Sequence, residues 1–174
     1  MRTADGGTAV FSMHSHSGTE PRAVTMASMS FQGTGAGVGL RTLSMFMGLF
    51  LILMAGQKVG WLLSSAPLLA ELERWRELTS GNSLWYLETV CIPFAPLFAR
   101  VVPLAEFAAG TALMVGFSVR VTAGLALLMV LNFHFASGIM FTGLGYLTNG
   151  FGPPVLGSLL ALTIGGRALP FSLR

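Results

Sequence analysis

Four apolar stretches are set apart along the chain by polar or Gly- and Pro-rich segments. The first runs from about Leu40 to Leu63, "LRTLSMFMGLFLILMAGQKVGWLL", and the second lies within Phe94–Phe117. The third covers Val121 to about Phe141, "VTAGLALLMVLNFHFASGIMF", and the fourth about Phe151 to Gly166, "FGPPVLGSLLALTIGG". Long, charge-poor runs of this kind predict transmembrane helices. The fourth is short and needs a thin local bilayer or flanking residues that reach outward. Gly124, Gly143, Gly145 and Gly157 suit such a reading, because small residues let membrane helices approach closely.

The segments between the stretches have patterns of their own. In "SSAPLLAELERWRELTSGN" Ser65 is placed to cap a helix and Pro67 suits its first turn. Leu68, Leu72 and Trp75 recur on one face, with Glu71, Glu73, Arg74, Arg76 and Glu77 on the other, and Ser80-Gly81 closes the helix. This predicts a short amphipathic helix on the outer membrane surface. Trp85 and Tyr86 follow as a pair suited to the membrane–water boundary. Pro93, Pro96 and Pro103 predict a dipping or kinked approach to the second span. Residues 1–35 show no apolar periodicity and predict a flexible N-terminal tail, in which Met26 or Met29 are candidate starts and His14 and His16 are solvated. The fold expected is an all-α membrane protein: a four-transmembrane-helix bundle over residues 36–174, with an amphipathic interfacial helix between spans 1 and 2.

Composition strengthens this reading. Hydrophobic residues make up 53% of 174 and charged residues 10%, against about 25% charged in soluble domains. No charged residue occurs from 121 to 166. Arg2, Arg22, Arg41, Arg120, Arg167 and Arg174 fall on one side of a four-span topology, and Lys58, Arg74, Arg76 and Arg100 on the other. The majority side predicts that both termini are cytoplasmic. The net charge of +3 is dispersed, so nucleic-acid binding has no footprint.

The polar residues of the spans share a depth. Glu106 lies fourteen residues before Arg120 and His134 fourteen after it, so each sits roughly 21 Å from a turn at Arg120. Asn132 lies roughly 18 Å from that turn, and Lys58 roughly 25 Å up the first span from Arg41. Tyr146 and Asn149 border the same layer. A carboxylate inside a membrane faces the bundle and pairs, and Gln57, Lys58, Asn132 and His134 are all within reach of Glu106. Two readings stand side by side. Glu106 and Lys58 form a buried tie between helices, or Glu106 and His134 do acid–base work in an outer-leaflet pocket bordered by Gln57, Lys58, Trp85, Tyr86 and Asn132. Asn132 and His134 are about 200° apart on a helical wheel, and His134 is the one expected to face the interior.

Several chemistries find no support in the sequence. His134 is the sole span histidine, which excludes bis-histidine haem ligation within one chain. Cys91 is the sole cysteine, so neither a dithiol couple nor a Cys-ligated iron–sulfur cluster is expected, and it is read as a small buried residue. No metal site is predicted. A quinone, by contrast, needs a flat apolar slot with a few polar groups, one able to move protons. Glu106, His134, Trp85, Tyr86 and Phe107 can supply these.

Arg41, Gly48, Phe50, Gly56 and Lys58 in the first span, Asn82 and Tyr86 before the second, and Glu106, Gly110, Gly116, Arg120 and Asn132 beyond carry a resemblance to the DoxX/DoxD-like membrane family. The closing "GPPVLGSLLALTIGGRALPFSL" is similar to that family's last helix, and the likeness spans roughly residues 38–172. The resemblance implies a subunit of the bacterial inner membrane linked to quinone-dependent sulfur oxidation, like the DoxD subunit of thiosulfate:quinone oxidoreductase. A membrane or periplasmic protein partner is implied with it. The alternative is a non-catalytic accessory subunit of a larger respiratory or photosynthetic membrane complex.

Overall fold

The structure, a computed structural model, describes residues 21–167, 169 and 170, with side chains from Gly35 onward. The expectations for His14 and His16 lie outside the described residues. The chain divides into two units at Thr34 and Gly35, and all packing below lies within the second.

The described residues are helical and contain no strand. α1 is Pro21–Gln57, α2 Val59–Leu63, α3 Ala66–Leu78 and α4 Gly81–Tyr86. A π-helical turn, Leu87–Cys91, leads to α5, Ala95–Val115, and α6, Val119–Ala136. A 3-10 turn at Ile139–Phe141, the short α7, Leu144–Leu147, and α8, Pro153–Gly165, complete the order. Gly35–Gln57, Ala95–Val115 and Val119–Ala136 are long and apolar enough to cross a membrane. α8 is apolar but has 13 residues, about 20 Å of helix against about 30 Å of bilayer hydrocarbon.

The apolar rows explain the packing. α1 buries Arg41, Ser44, Met47, Gly48, Leu51 and Ala55, and α5 buries Ala99, Val102, Glu106, Gly110 and Leu113. Steps of three and four residues keep each set on one helical face. Met47, Leu51 and Leu113 join Val119, Ala123 and Ala126 of α6 and Val155, Leu159 and Leu162 of α8 in one core. α1 and α5 meet where Gly48 faces Gly110: a Cβ on either would lie 2.6–2.7 Å from the other's carbonyl oxygen. Only glycine permits that approach. Nearby, Arg41 donates to the carbonyls of Leu113 at 2.9 Å and Met114 at 2.7 Å, and Ser44 Oγ donates to Leu113 O at 2.8 Å. A cation is thereby set at the C-terminus of α5, where the helix dipole favours it.

Several boundaries differ from the sequence reading, each for a local reason. The first span does not continue to Leu63, because α1 ends at Gln57 and Lys58 stands in a turn at φ −103°, ψ 7°. The third stops at Ala136 rather than Phe141, since Gly138 adopts φ 69°, the left-handed geometry that ends helices. Ser65 makes no side-chain cap; Ser64 Oγ accepts from the Ala66 N–H at 3.2 Å instead. α3 closes at Leu78, its C-cap Thr79 extended and donating through Oγ1 to Ser137 O at 3.1 Å. Pro96 occupies the first turn of α5 and Pro103 lies inside it. The irregularity ahead of α5 is the π-turn and the turn at 92–94 that contains Pro93. Helix begins at Pro21, within the segment expected as a tail.

α3 lays its apolar stripe on protein. Leu68 and Leu72 are buried against Leu87, Cys91, Ala95, Ala99 and Ala136, so α3 roofs the region where α5 and α6 come together.

Candidate functional site

Glu106 is carried on the buried face of α5 and is only 3% exposed. Its partner comes from the break after α1. Lys58 Nζ stands 2.7 Å from both carboxylate oxygens and 3.3 Å from the carbonyl of Met54. An ammonium has three donors, and all three are engaged. The turn at Lys58 is what aims the side chain across to α5. The indole of Trp61, three residues on, lies 5.8 Å from the ammonium, within cation–π range.

Two further polar pairs come from α6. Tyr86 OH donates to Asn132 Oδ1 at 2.6 Å, and its ring packs on Phe135 at 5.5 Å between centroids. The amide N–H groups of Asn132 make no hydrogen bond among the described residues. Burial pushes the Tyr86 hydroxyl above its ordinary value, with Cys91 adding to the shift and Asn132 opposing it. The hydroxyl therefore acts as a donor throughout the physiological range. His134 Nδ1 stands 3.2 Å from Tyr146 OH, the two rings edge-on. At the roof, Glu71 accepts from Trp75 Nε1 at 2.7 Å and pairs with Arg74.

At least one member of each of these pairs lines one cleft of about 1090 Å³. Lys58, Glu106, Asn132, His134 and Glu71 are its charged or strongly polar lining; Trp61, Trp75, Phe50, Phe98 and Met54 form apolar walls around them. Both Asn132 and His134 reach the cleft despite their angular separation, because it wraps around that end of α6. His134 is the more buried.

The candidate residues do not all converge. Lys58, Glu106, Asn132 and His134 line the cleft, and Tyr86 stands behind Asn132. Gln57 and Trp85 are exposed and do not line it. Trp85 precedes Tyr86 on α4, where one helical step turns a side chain by about 100°, and Gln57 ends α1 just before the turn that redirects Lys58. Phe107 is likewise exposed beside buried Glu106. Tyr146, expected at the border of the polar layer, meets it through His134, whereas Trp61, Glu71 and Trp75 line the cleft without having been site candidates from the sequence. Their signals were the Lys58/Trp61 and Glu71/Trp75 spacings of three and four.

The chemistry available follows from the donor inventory. The carboxylate of Glu106 retains acceptor capacity beyond Lys58, so it can take a hydrogen bond or proton from a hydroxyl in the cleft. Asn132 offers N–H donors to a carbonyl. No group of three His, Cys, Asp or Glu able to hold a metal occurs among the described residues. No protein-family model, curated protein or solved structure matches the chain.

Proposed function

We propose that the chain is a four-helix membrane subunit of a quinone-linked oxidoreductase system, with the quinone ring held in the cleft beside Glu106. In this reading α8 is the fourth span, α3 lies on the outer face of the bilayer, and both termini are cytoplasmic. The likeness to DoxX/DoxD proteins in spans and motif residues points the same way.

The observation that carries the reading is a buried, charge-balanced Lys58–Glu106 pair in the wall of a large and mainly apolar cleft. Ligand pockets typically combine apolar walls with a few placed polar groups, at roughly 300–1,000 Å³. The residues fit both oxidation levels of a quinone. Asn132 donates to a carbonyl oxygen, Glu106 accepts from a hydroxyl, and the indoles of Trp61 and Trp75 offer flat faces. When bound, the quinone supplies a two-electron, two-proton acceptor. Glu106 holds or moves a proton at its carboxylate, Lys58 orients that carboxylate, and α3 excludes water. The chain has a single cysteine, and His134 is the only histidine within its spans, so electrons come from a partner protein or from a substrate reacting in the cleft.

A second reading is supported by the saturation of Lys58. All three of its donors are satisfied within the chain, as a purely structural tie would require. The chain would then be an accessory subunit of a larger membrane complex.

One purification separates the two. The full chain is extracted from native membranes in mild detergent, and everything that remains bound is identified by mass spectrometry. The quinone reading expects stoichiometric quinone, and loss of both quinone and turnover in Glu106→Gln with the fold retained. A fixed complex without quinone, unaffected by Glu106→Gln, would establish the accessory role.

A further inference from the structure

The cleft does not stop at the polar layer. It continues past Ala108 and Ala112 of α5 to Phe117 at the turn, faced by Thr122, Leu125 and Met129 of α6. Along α6, Asn132 to Thr122 is ten residues, about 15 Å of groove. Leu125 lines it and is still 63% exposed, so the groove is open along the apolar outer face of the bundle. Neighbouring Leu104, Phe107 and Val121 are exposed too, yet lie outside it.

We infer that this groove seats the hydrocarbon chain of the ligand: a quinone bearing one prenyl or alkyl chain that enters sideways from the bilayer. The inference rests on the quinone reading of the same cleft and names the part of the ligand that reading leaves open. Three considerations select the occupant. The cleft is amphiphilic along its length, with Glu106 and Asn132 at one end and only apolar groups and a threonine at the other. A water-soluble ligand would leave that apolar length unmatched. A partner helix seated on the alanines would be about 10–12 Å across, too wide to follow the groove inward to a carboxylate that is 3% exposed. A single chain joined to a flat head can occupy both.

The test uses the full chain in phospholipid nanodiscs and a benzoquinone whose decyl chain ends in a photoreactive diazirine. After irradiation, labelled residues are mapped by peptide mass spectrometry. The expected labels fall on Ala112, Phe117, Thr122 and Leu125. A roughly tenfold excess of the unlabelled compound should cut them about tenfold, as mass action at one site requires. Ala108→Phe, which fills the groove from an exposed position, should abolish the labels, whereas Leu104→Phe on the adjacent face should keep them. Calorimetry with the tailless benzoquinone reports head binding separately and shows whether Ala108→Phe still folds and binds. If the tailless quinone binds but labels spread evenly over Leu104, Phe107 and Val121, the chain lies in bulk lipid and the groove assignment is overturned. If neither quinone binds, the quinone reading itself falls, and this inference with it. Groove labels displaced by a fatty acid but not by quinone would overturn it in favour of a lipid occupant.

Discussion

Glu106 is tolerable in an apolar bundle because Lys58 answers both of its oxygens and Met54 completes the ammonium's bonding. Breaking such a pair from one side leaves an uncompensated buried charge, typically costing about 3–5 kcal/mol, whereas replacing both partners with apolar groups is often neutral or stabilising. Lys58→Met and Glu106→Leu should each lower stability by about that amount, and the double variant should recover most of it. Thermal unfolding of the four proteins in one detergent provides the cycle. A double variant as unstable as the singles would mean that the polar layer itself holds α1 to α5. Depth arithmetic alone brought Lys58, Glu106, Asn132 and His134 to a common level, because residue count fixes height along a helix. It did not fix azimuth, so Gln57 and Trp85 were grouped with neighbours that point the other way. The link from His134 to Tyr146 was also out of reach, since it depends on the irregular chain between α6 and α8.

At the scale of elements, the crossing of α1 and α5 depends on two glycines and a capping arginine. Gly48→Ala should force the helices apart, since its Cβ would stand 2.6 Å from Gly110 O, and overpacking of this kind costs about 1–3 kcal/mol. Gly124→Ala is the control: its Cβ would meet Thr163 Cγ2 at an ordinary 3.5 Å, and it should unfold at the parental temperature or slightly above. Arg41→Lys should also destabilise, because a lysine cannot reproduce the fork that reaches two carbonyls, and a charge-assisted bond is worth about 1.5–3 kcal/mol. All three variants can be ranked by unfolding midpoint in detergent. Apolar run length was enough to locate the three long helices. Their ends were less legible, because Lys58 and Gly138 sit in sequence that reads as continuous apolar helix and stop it only through backbone turns. α3 shows the opposite case: its apolar stripe was plain, but whether lipid or protein would cover it was not, and Leu68 and Leu72 are covered by protein.

For the whole molecule, the outward-facing residues of the long helices are large and apolar, among them Phe46, Leu53, Leu104, Phe107 and Leu128. A surface of that kind requires lipid around it. The chain should therefore remain with membranes through an alkaline carbonate wash and leave them only in detergent. Which end faces which compartment is a separate question, decided in the proposed topology by arginines flanking the spans. The sole cysteine makes it accessible to experiment. Cys91 is buried, and burial pushes its thiol above the ordinary thiol value. Since the thiolate is the reactive form, the parent chain should resist maleimide at neutral pH and label only as pH rises past the usual thiol range. Against that silent background, Ser80→Cys and Ser118→Cys place single exposed thiols at the α3–α4 junction and in the α5–α6 turn. With termini in the cytoplasm, an impermeant maleimide added to intact cells should label Ser80→Cys at once and Ser118→Cys only after permeabilisation. The reverse order would invert the topology, placing the Glu106 layer and its cleft in the cytoplasmic leaflet and any electron-delivering partner on that side.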